Sequence, residues 1–251
     1  MKAMIFAAGL GTRLRPLTDN MPKAMVSVAG KPMLQRVIEN LSHYGFHDIV
    51  INIHHFGEQI IDFIEKNNNF GENIIISDER NCLLDTGGGI LAARKWLDDG
   101  EPFIVHNADI LTTLNLETIY KHHCNSNADA TLLVKSRKTE RYLLFDDNNQ
   151  LKGWINKKTG ETRPAGFSIT EQNLQEFAFG GVHIISPTIF NTLEKYTSEE
   201  KFSITPFYID SCRNLKIQGY NPSGYDWFDI GKPETLDLAN NFFTQQEKKT
   251  Y

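Results

Sequence analysis

The chain is 251 residues long, with 40% apolar and 23% charged residues and a formal net charge of −5. That is enough apolar residue to bury a full core, and the length suits one catalytic unit with a modest appendage rather than two equal domains. The acidic balance speaks against nucleic acid as a partner, and no apolar run approaches the roughly 20 residues needed to span a bilayer.

The first predicted element is a buried strand, Ala3-Met4-Ile5-Phe6. A strand this close to the N-terminus leaves no room for a signal peptide, so the expectation is a cytoplasmic protein with no membrane partner. Ala7-Ala8-Gly9-Leu10-Gly11-Thr12-Arg13-Leu14-Arg15-Pro16 follows. Glycines with small neighbours let backbone N–H groups approach an anion, and Arg13 and Arg15 add planar forks that grip phosphate oxygens. A triphosphate is the natural guest of such a loop. A Rossmann dinucleotide site would need a third glycine opening a helix and an acid closing the second strand, where this chain has Arg13 to Pro16 and Ile49-Val50-Ile51-Asn52. A P-loop would need Gly-Lys-Ser/Thr, which does not follow.

Apolar residues at 33, 34, 37, 38 and 41 predict a helix over 33–44, started by Pro32 and ended by Gly45. A strand over 48–53 and a helix over 58–66 then begin a parallel, doubly wound sheet. His54 and His55 close that strand with no third ligand nearby, so they read as hydrogen-bonding loop residues rather than a metal site. A short strand over 74–77 precedes Leu83-Leu84-Asp85-Thr86-Gly87-Gly88-Gly89-Ile90 and a helical run over 91–97. Glycines opening a helix would expose free N–H donors at the positive end of its dipole, suited to a base edge or a phosphate; the plainer alternative is tight helix packing. Asp109 stands just past a strand over 102–106, where open α/β sheets bind ligands, and is the best metal candidate.

A helix over 116–126 and a strand over 130–134 complete the parallel pattern. The character then changes to an antiparallel hairpin, 142–145 with 151–155, and a polar loop over 156–168. The strand over 176–185 contains Gly180-Gly181, which reads either as a β-bulge or as a place where a ring meets the backbone. Two short helices, 187–193 and 204–214, and a strand over 216–220 lead to Asp229, which closes a last strand before a helix over 233–247. Trp227 beside it reads as core. Cys82, Cys124 and Cys212 are odd in number and far apart, and read as reduced, incidental thiols.

The order Gly9-x-Gly-Thr-Arg-Leu-x-Pro-Leu-Thr18, Pro22-Lys23 and Gly30-Lys31-Pro32 resembles the signature of the sugar-1-phosphate nucleotidyltransferases. The resemblance implies one α/β nucleotidyltransferase domain over 1–251, with a mostly parallel, doubly wound, Rossmann-like sheet and a small antiparallel sugar-binding subdomain. Its nucleotide-binding core would cover about 1–135 and its sugar-binding part about 136–230. It also implies a reaction in which a sugar 1-phosphate attacks the α-phosphate of a nucleoside triphosphate, giving a nucleotide sugar and pyrophosphate. Arg13, Lys23 and Asp109 would be catalytic. Ala7, Ala8, Gly9, Gly11, Thr12 and Arg13 would bind the phosphates, and Asp85, Thr86, Gly87 and Gly88 the nucleoside. Asn107, Gly180 and Gly181 would meet the sugar; Lys157 would stand in for a family Glu-Lys-Pro that here reads Asn156-Lys157-Lys158. Asp109 and Asp229 would hold Mg²⁺.

Within the family the chain is most similar to the N-acetylmuramate 1-phosphate uridylyltransferase branch of cell-wall sugar recycling. Mannose or heptose 1-phosphate guanylyltransferases share most of these residues, and a cytidylyltransferase is a third reading. A non-catalytic nucleotide-sugar sensor would be expected to have lost charges that are all present here. The oligomeric expectation is a monomer or homodimer.

Overall fold

The computed structural model describes residues 1–169 and 173–249. Its elements are, in chain order, strands β1 (Lys2–Phe6), β2 (Ser27–Val28) and β3 (Lys31–Pro32), helix α1 (Met33–His43), β4 (Asp48–Ile53), α2 (Gly57–Lys66) and β5 (Asn73–Asp78). There follow α3 (Asp85–Ala92), α4 (Arg94–Leu97), β6 (Phe103–Asn107), β7 (Ile110–Thr112), α5 (Leu116–Ser126), β8 (Ala130–Lys135), β9 (Arg141–Phe145), β10 (Leu151–Asn156) and β11 (Thr162–Arg163). The last are β12 (Gln175–Ile185), α6 (Phe190–Leu193), α7 (Ile204–Ser211), β13 (Ile217–Tyr220), β14 (Trp227–Asp229) and α8 (Pro233–Lys249). The class is α/β with parallel core strands, as the strand and helix alternation predicts.

Two compact units emerge. The first comprises residues 1–83, 106–116 and 224–249, the second 84–105, 117–169 and 173–223. In the first, β1 and β4 are parallel with Met4 opposite Val50, and β4 and β5 are parallel with Val50 opposite Ile75. Met4, Ile5, Ile49 and Ile51 are fully buried, which is why β1 and β4 read as mostly apolar runs. Helix α1 buries Met33, Leu34, Val37, Ile38 and Leu41. It ends where Gly45 adopts φ +82°, with Gly45 N–H donating to the Ser42 carbonyl and Phe46 N–H to that of Leu41, a left-handed stop that satisfies two orphan carbonyls. A short ribbon pairs β7 with β14 antiparallel, Ile110 opposite Asp229. On α8, Phe242 and Phe243 pack as tilted rings against Phe228 of that ribbon, and the Arg36 guanidinium lies 4.6 Å from the Phe243 ring centre.

In the second unit the hairpin β9–β10 forms as expected, and β12 pairs antiparallel with β9 at its start and with β8 at its end. Strand β13 adds parallel to β8. These pairings draw residues 130–135 into the same unit as the antiparallel strands, whereas the sequence pattern alone divides the chain near 135. The register of β12 on β8 shifts between Phe179 and His183, with Gly181 at φ +74°. A Cβ on Gly180 would lie 2.9 Å from the Leu133 carbonyl oxygen. The glycine pair therefore makes a β-bulge. Buried His123 ties three elements together, its ring nitrogens each 2.9 Å from the hydroxyls of Thr131 and Ser186.

Candidate active site

The loop that leaves β1 is held at both ends. Ala7 N–H donates to the buried Asn52 side-chain oxygen at 2.8 Å, and Asn52 Nδ2 donates to a Glu79 carboxylate oxygen at 2.8 Å. At the other end Gly11 takes φ +65°, and its carbonyl accepts from Leu14 N–H at 2.9 Å and from the Thr18 hydroxyl at 2.9 Å. Buried Leu14 then anchors a 3-10 turn, Thr12–Leu14, that leaves Thr12, Arg13 and Arg15 exposed. Gly9 is exposed, and a Cβ there would meet nothing within 4 Å. The Ala7 amide is thus spent on Asn52, which corrects the expectation that this N–H is free for phosphate.

Pro22 sets up a second 3-10 turn, Lys23–Met25, which directs Lys23 under the loop. A Cβ on Gly11 would come within 2.9 Å of Lys23 Cβ. The Lys23 ammonium pairs directly with the Asp109 carboxylate; the two side chains are 12% and 25% exposed. Asp109 is placed by backbone bonds on either side: Ala108 N–H donates to the Phe6 carbonyl at 3.1 Å, and the Asp109 carbonyl accepts from Ile230 N–H at 2.9 Å. The second bond brings Asp229, opposite Ile110, alongside Asp109. A point one Cβ away from Gly231 lies 3.0 Å from an Arg13 guanidinium nitrogen and 3.1 Å from an Asp229 carboxylate oxygen. Position 231 thus lies in close contact with the ends of both side chains, and a Cβ there would require them to shift by a few tenths of an ångström.

The first unit thus gathers Arg13, Lys23, Asp109 and Asp229 around the loop, two cations and two carboxylates from four distant stretches of chain. The donor set fits Mg²⁺, which takes one or two carboxylates and fills its remaining positions with phosphate oxygens and water. Among the described residues no group of three or more His, Cys, Asp or Glu forms a fuller protein cage. Asn107, two residues before Asp109, is half-buried at the end of β6. Its carbonyl accepts from Nδ1 of His106 at 2.9 Å. Burial holds the His106 imidazole neutral and pushes its pKa down to about 4.

The residues expected to contact the nucleoside lie in the second unit, and two of them behave differently from expectation. Gly87 and Gly88 sit inside α3, and both their amides donate to the Phe202 carbonyl, at 2.8 and 3.2 Å. A Cβ on Gly87 would lie 2.3 Å from the Phe202 ring, and one on Gly88 2.1 Å from the Glu200 carbonyl oxygen. Their amides are therefore not free donors for a base; the glycines serve close packing of α3 on residues 200–202. The Thr86 hydroxyl is also engaged, accepting from Ile204 N–H at 2.9 Å at the start of α7. Asp85 differs: it is exposed, with φ +60° in the left-handed region, and one carboxylate oxygen accepts from the Thr86 amide at 2.6 Å. A left-handed aspartate is tolerated because its short side chain bonds locally, as here. The Lys157 ammonium pairs with Glu176, and its amide donates to Glu140 at 2.7 Å.

His54 takes the hydrogen-bonding role expected of it, Nδ1 donating to the Glu79 carbonyl at 2.7 Å. The cysteines are free thiols, Cys82 and Cys124 exposed and Cys212 buried. The Asn52–Glu79 pair is the feature that sequence reading overlooks. Its only signal is a polar residue inside the run Ile49-Val50-Ile51-Asn52-Ile53, since a buried amide in an apolar strand needs partners.

Residues 2–246 match the family model described as nucleotidyl transferase. The N-acetylmuramate alpha-1-phosphate uridylyltransferase of Neisseria meningitidis is 32% identical over 92% of this chain and 93% of its own length. The UTP–glucose-1-phosphate uridylyltransferase of Synechocystis is 30% identical over 92% of this chain, which spans only 60% of that longer protein. The crystal structure of HddC from Yersinia pseudotuberculosis complexed with GMP-PN superposes with a TM-score of 0.74 at 26% identity, covering 96% of this chain and 99% of that one. With the phosphate-type loop, the Lys23–Asp109 pair and Asp229 in place, and the family model matching nearly end to end, this chain belongs to the nucleotidyl transferase family.

Proposed function

We propose that the protein is a sugar-1-phosphate nucleotidyltransferase that uses UTP and N-acetylmuramate 1-phosphate. The observation that carries the reaction class is the convergence of Arg13, Lys23, Asp109 and Asp229 on one glycine-rich loop. An oxygen of the sugar phosphate attacks the α-phosphorus of the triphosphate. The bridging P–O bond to the β-phosphate breaks, and pyrophosphate leaves with that oxygen and its electron pair. The nucleophile is already an anion, so no strong general base is required; the barrier lies in bringing two polyanions together, and it falls through positioning and charge neutralisation. Arg13 grips the β- and γ-phosphates that depart. Lys23 serves the α-phosphate or the sugar phosphate, and its pairing with Asp109 holds the ammonium in place before substrate arrives. Asp109 and Asp229 are the carboxylates that would hold Mg²⁺, which when bound neutralises phosphate charge and polarises the reacting oxygens. Asp85 and Lys157 of the second unit are the proposed base and sugar contacts, each tested by the KM of its own substrate.

The choice of UTP and the muramate sugar rests on the Neisseria relative, which matches this chain over nearly its whole length and its own. The guanine reading, with a mannose or heptose 1-phosphate, is favoured by the likeness to a structure holding GMP-PN. Pyrophosphate release by the purified protein with Mg²⁺, across UTP, GTP, CTP and dTTP against N-acetylmuramate, mannose, heptose and glucose 1-phosphates, decides between them. Release with UTP and the muramate phosphate is the expected result. Release with GTP and mannose or heptose phosphate moves the protein to the guanylyl branch. Nucleotide binding without release from any pair refutes the enzymatic reading and supports the sensor.

A further inference from the structure

The parallel ladder between β1 and β4 ends at Phe6, opposite Asn52. The next amide, Ala7 N–H, finds the Asn52 side chain instead of a β4 carbonyl. An asparagine amide can present either its oxygen or its NH₂ group to a given neighbour. Here the choice is forced, because the Ala7 N–H can only donate: the oxygen must face it, which turns the NH₂ group to the Glu79 carboxyl. Glu79 is itself fixed by its own backbone: its N–H donates to the Ile53 carbonyl at 2.9 Å, and its carbonyl accepts from His54. Asn52 is 2% and Glu79 3% exposed, so neither bond is shared with bulk water.

We infer that Asn52, oriented by Glu79, is a positioning residue for the nucleotide loop: it ends the β1 ladder at Ala7 and so turns the amides that follow, from Ala8 to Thr12, away from the sheet. The inference rests on the reading of that loop as the triphosphate cradle. A relay of this kind acts through polarity rather than shape. Asn52→Leu keeps a similar size but offers Ala7 N–H no acceptor and Glu79 no donor, so both buried bonds are lost. Glu79→Gln alone leaves an oxygen that still accepts from Asn52. Asn52→Asp with Glu79→Gln reverses the donor and acceptor of the inner bond while restoring an acceptor for Ala7 N–H.

The test reads the three variants in two ways. In steady-state pyrophosphate release, Asn52→Leu is expected to raise the KM for nucleotide roughly tenfold or more, as misplacement of a binding loop does, with the sugar-phosphate KM unchanged. Glu79→Gln is expected within about threefold of the parent, and the double variant is expected at a similar level. Hydrogen exchange at the Ala7 amide, which needs no activity, should lose protection in Asn52→Leu and keep it in the double variant. Loss of either readout in the double variant, equal rises in both KM values, or unchanged exchange at Ala7 in Asn52→Leu would overturn the inference. If the parent releases no pyrophosphate, the reaction reading fails, while the exchange pattern alone still decides whether Asn52 and Glu79 set the loop.

Discussion

Gly9 and Gly11 look alike in the sequence, yet the structure gives them different tasks, and alanine at each should separate the two. At Gly11 the backbone sits at φ +65°, and an added Cβ would stand 2.9 Å from Lys23 Cβ and 2.9 Å from Thr18 Cγ2. The left-handed conformation costs an ordinary residue about 1–2 kcal/mol. The clash involves the root of the Lys23 side chain rather than its flexible end, so relief requires backbone movement, adding about 1–3 kcal/mol. A loss of roughly 2–5 kcal/mol follows, which for a chain of this size lowers Tm by roughly 4–20 °C. Activity should fall with it, since the same shift moves Lys23 off Asp109. At Gly9 nothing lies within 4 Å and φ is outside the left-handed region. Gly9→Ala should therefore fold with stability between unchanged and about 1 kcal/mol higher, because it restricts only the unfolded chain. Its methyl group would stand on the exposed face of the loop and raise the KM for nucleotide by about 10- to 100-fold. Thermal unfolding followed by circular dichroism, with nucleotide titration of pyrophosphate release, measures both. A Gly11→Ala protein that melts with the parent, or a Gly9→Ala protein less stable than Gly11→Ala, would refute this division of labour.

Lys23→Ala and Asp109→Asn should each leave the far-UV spectrum unchanged and lower kcat by about 10²- to 10³-fold, the usual effect of removing a preorganised charge; parental turnover in either variant would remove that residue from the reaction. Gly88→Ala should fail to accumulate as folded protein or melt well below the parent, since its Cβ would meet the Glu200 carbonyl oxygen at 2.1 Å, and overpacking against backbone has no cheap relief; a soluble variant of parental Tm would show that α3 is not pinned to residues 200–202. Acid should weaken the fold through His106 and His123, both buried and both pushed down to about 4 from an ordinary value of 6.5 by desolvation. With folded values below unfolded ones, the unfolded chain binds more protons in between, so their contribution is full above about pH 6.5 and is lost as pH falls toward 4. Urea midpoints measured at pH 7.5, 6 and 5 should show a smaller decline in His106→Gln than in the parent, and an identical decline would exclude His106 as a source.

Much of the site is legible in one dimension because its signals are local. The loop after β1, the carboxylate past β6 and the one closing β14 each sit at the end of a strand whose apolar pattern marks it, and Pro22 marks the turn that carries Lys23. Helix α1 is equally plain: its apolar rhythm, Pro32 and Gly45 predict both ends, and the observed span differs by one residue. What the sequence leaves open turns on contacts between distant residues. A glycine pattern cannot say whether the missing side chain makes room for a ligand, as the space around Gly9 allows, or for the protein itself, as Phe202 and Glu200 require at Gly87 and Gly88. Free donors and spent donors look the same until the carbonyl that accepts from them is located, and that carbonyl lies more than a hundred residues away.

The sequence by itself therefore determined the family and the α/β class, and put forward the charges proposed for the reaction, because strand endings, turn residues and charged side chains are written in consecutive positions. Only the tertiary structure decided that Lys23 pairs with Asp109, that Asn52 bridges Ala7 and Glu79, and that Gly87 and Gly88 pack closely on residues 200–202. Those outcomes depend on which backbone groups reach one another across the fold, and hydrogen-bond satisfaction in a buried interior is settled by proximity in space, not by order along the chain.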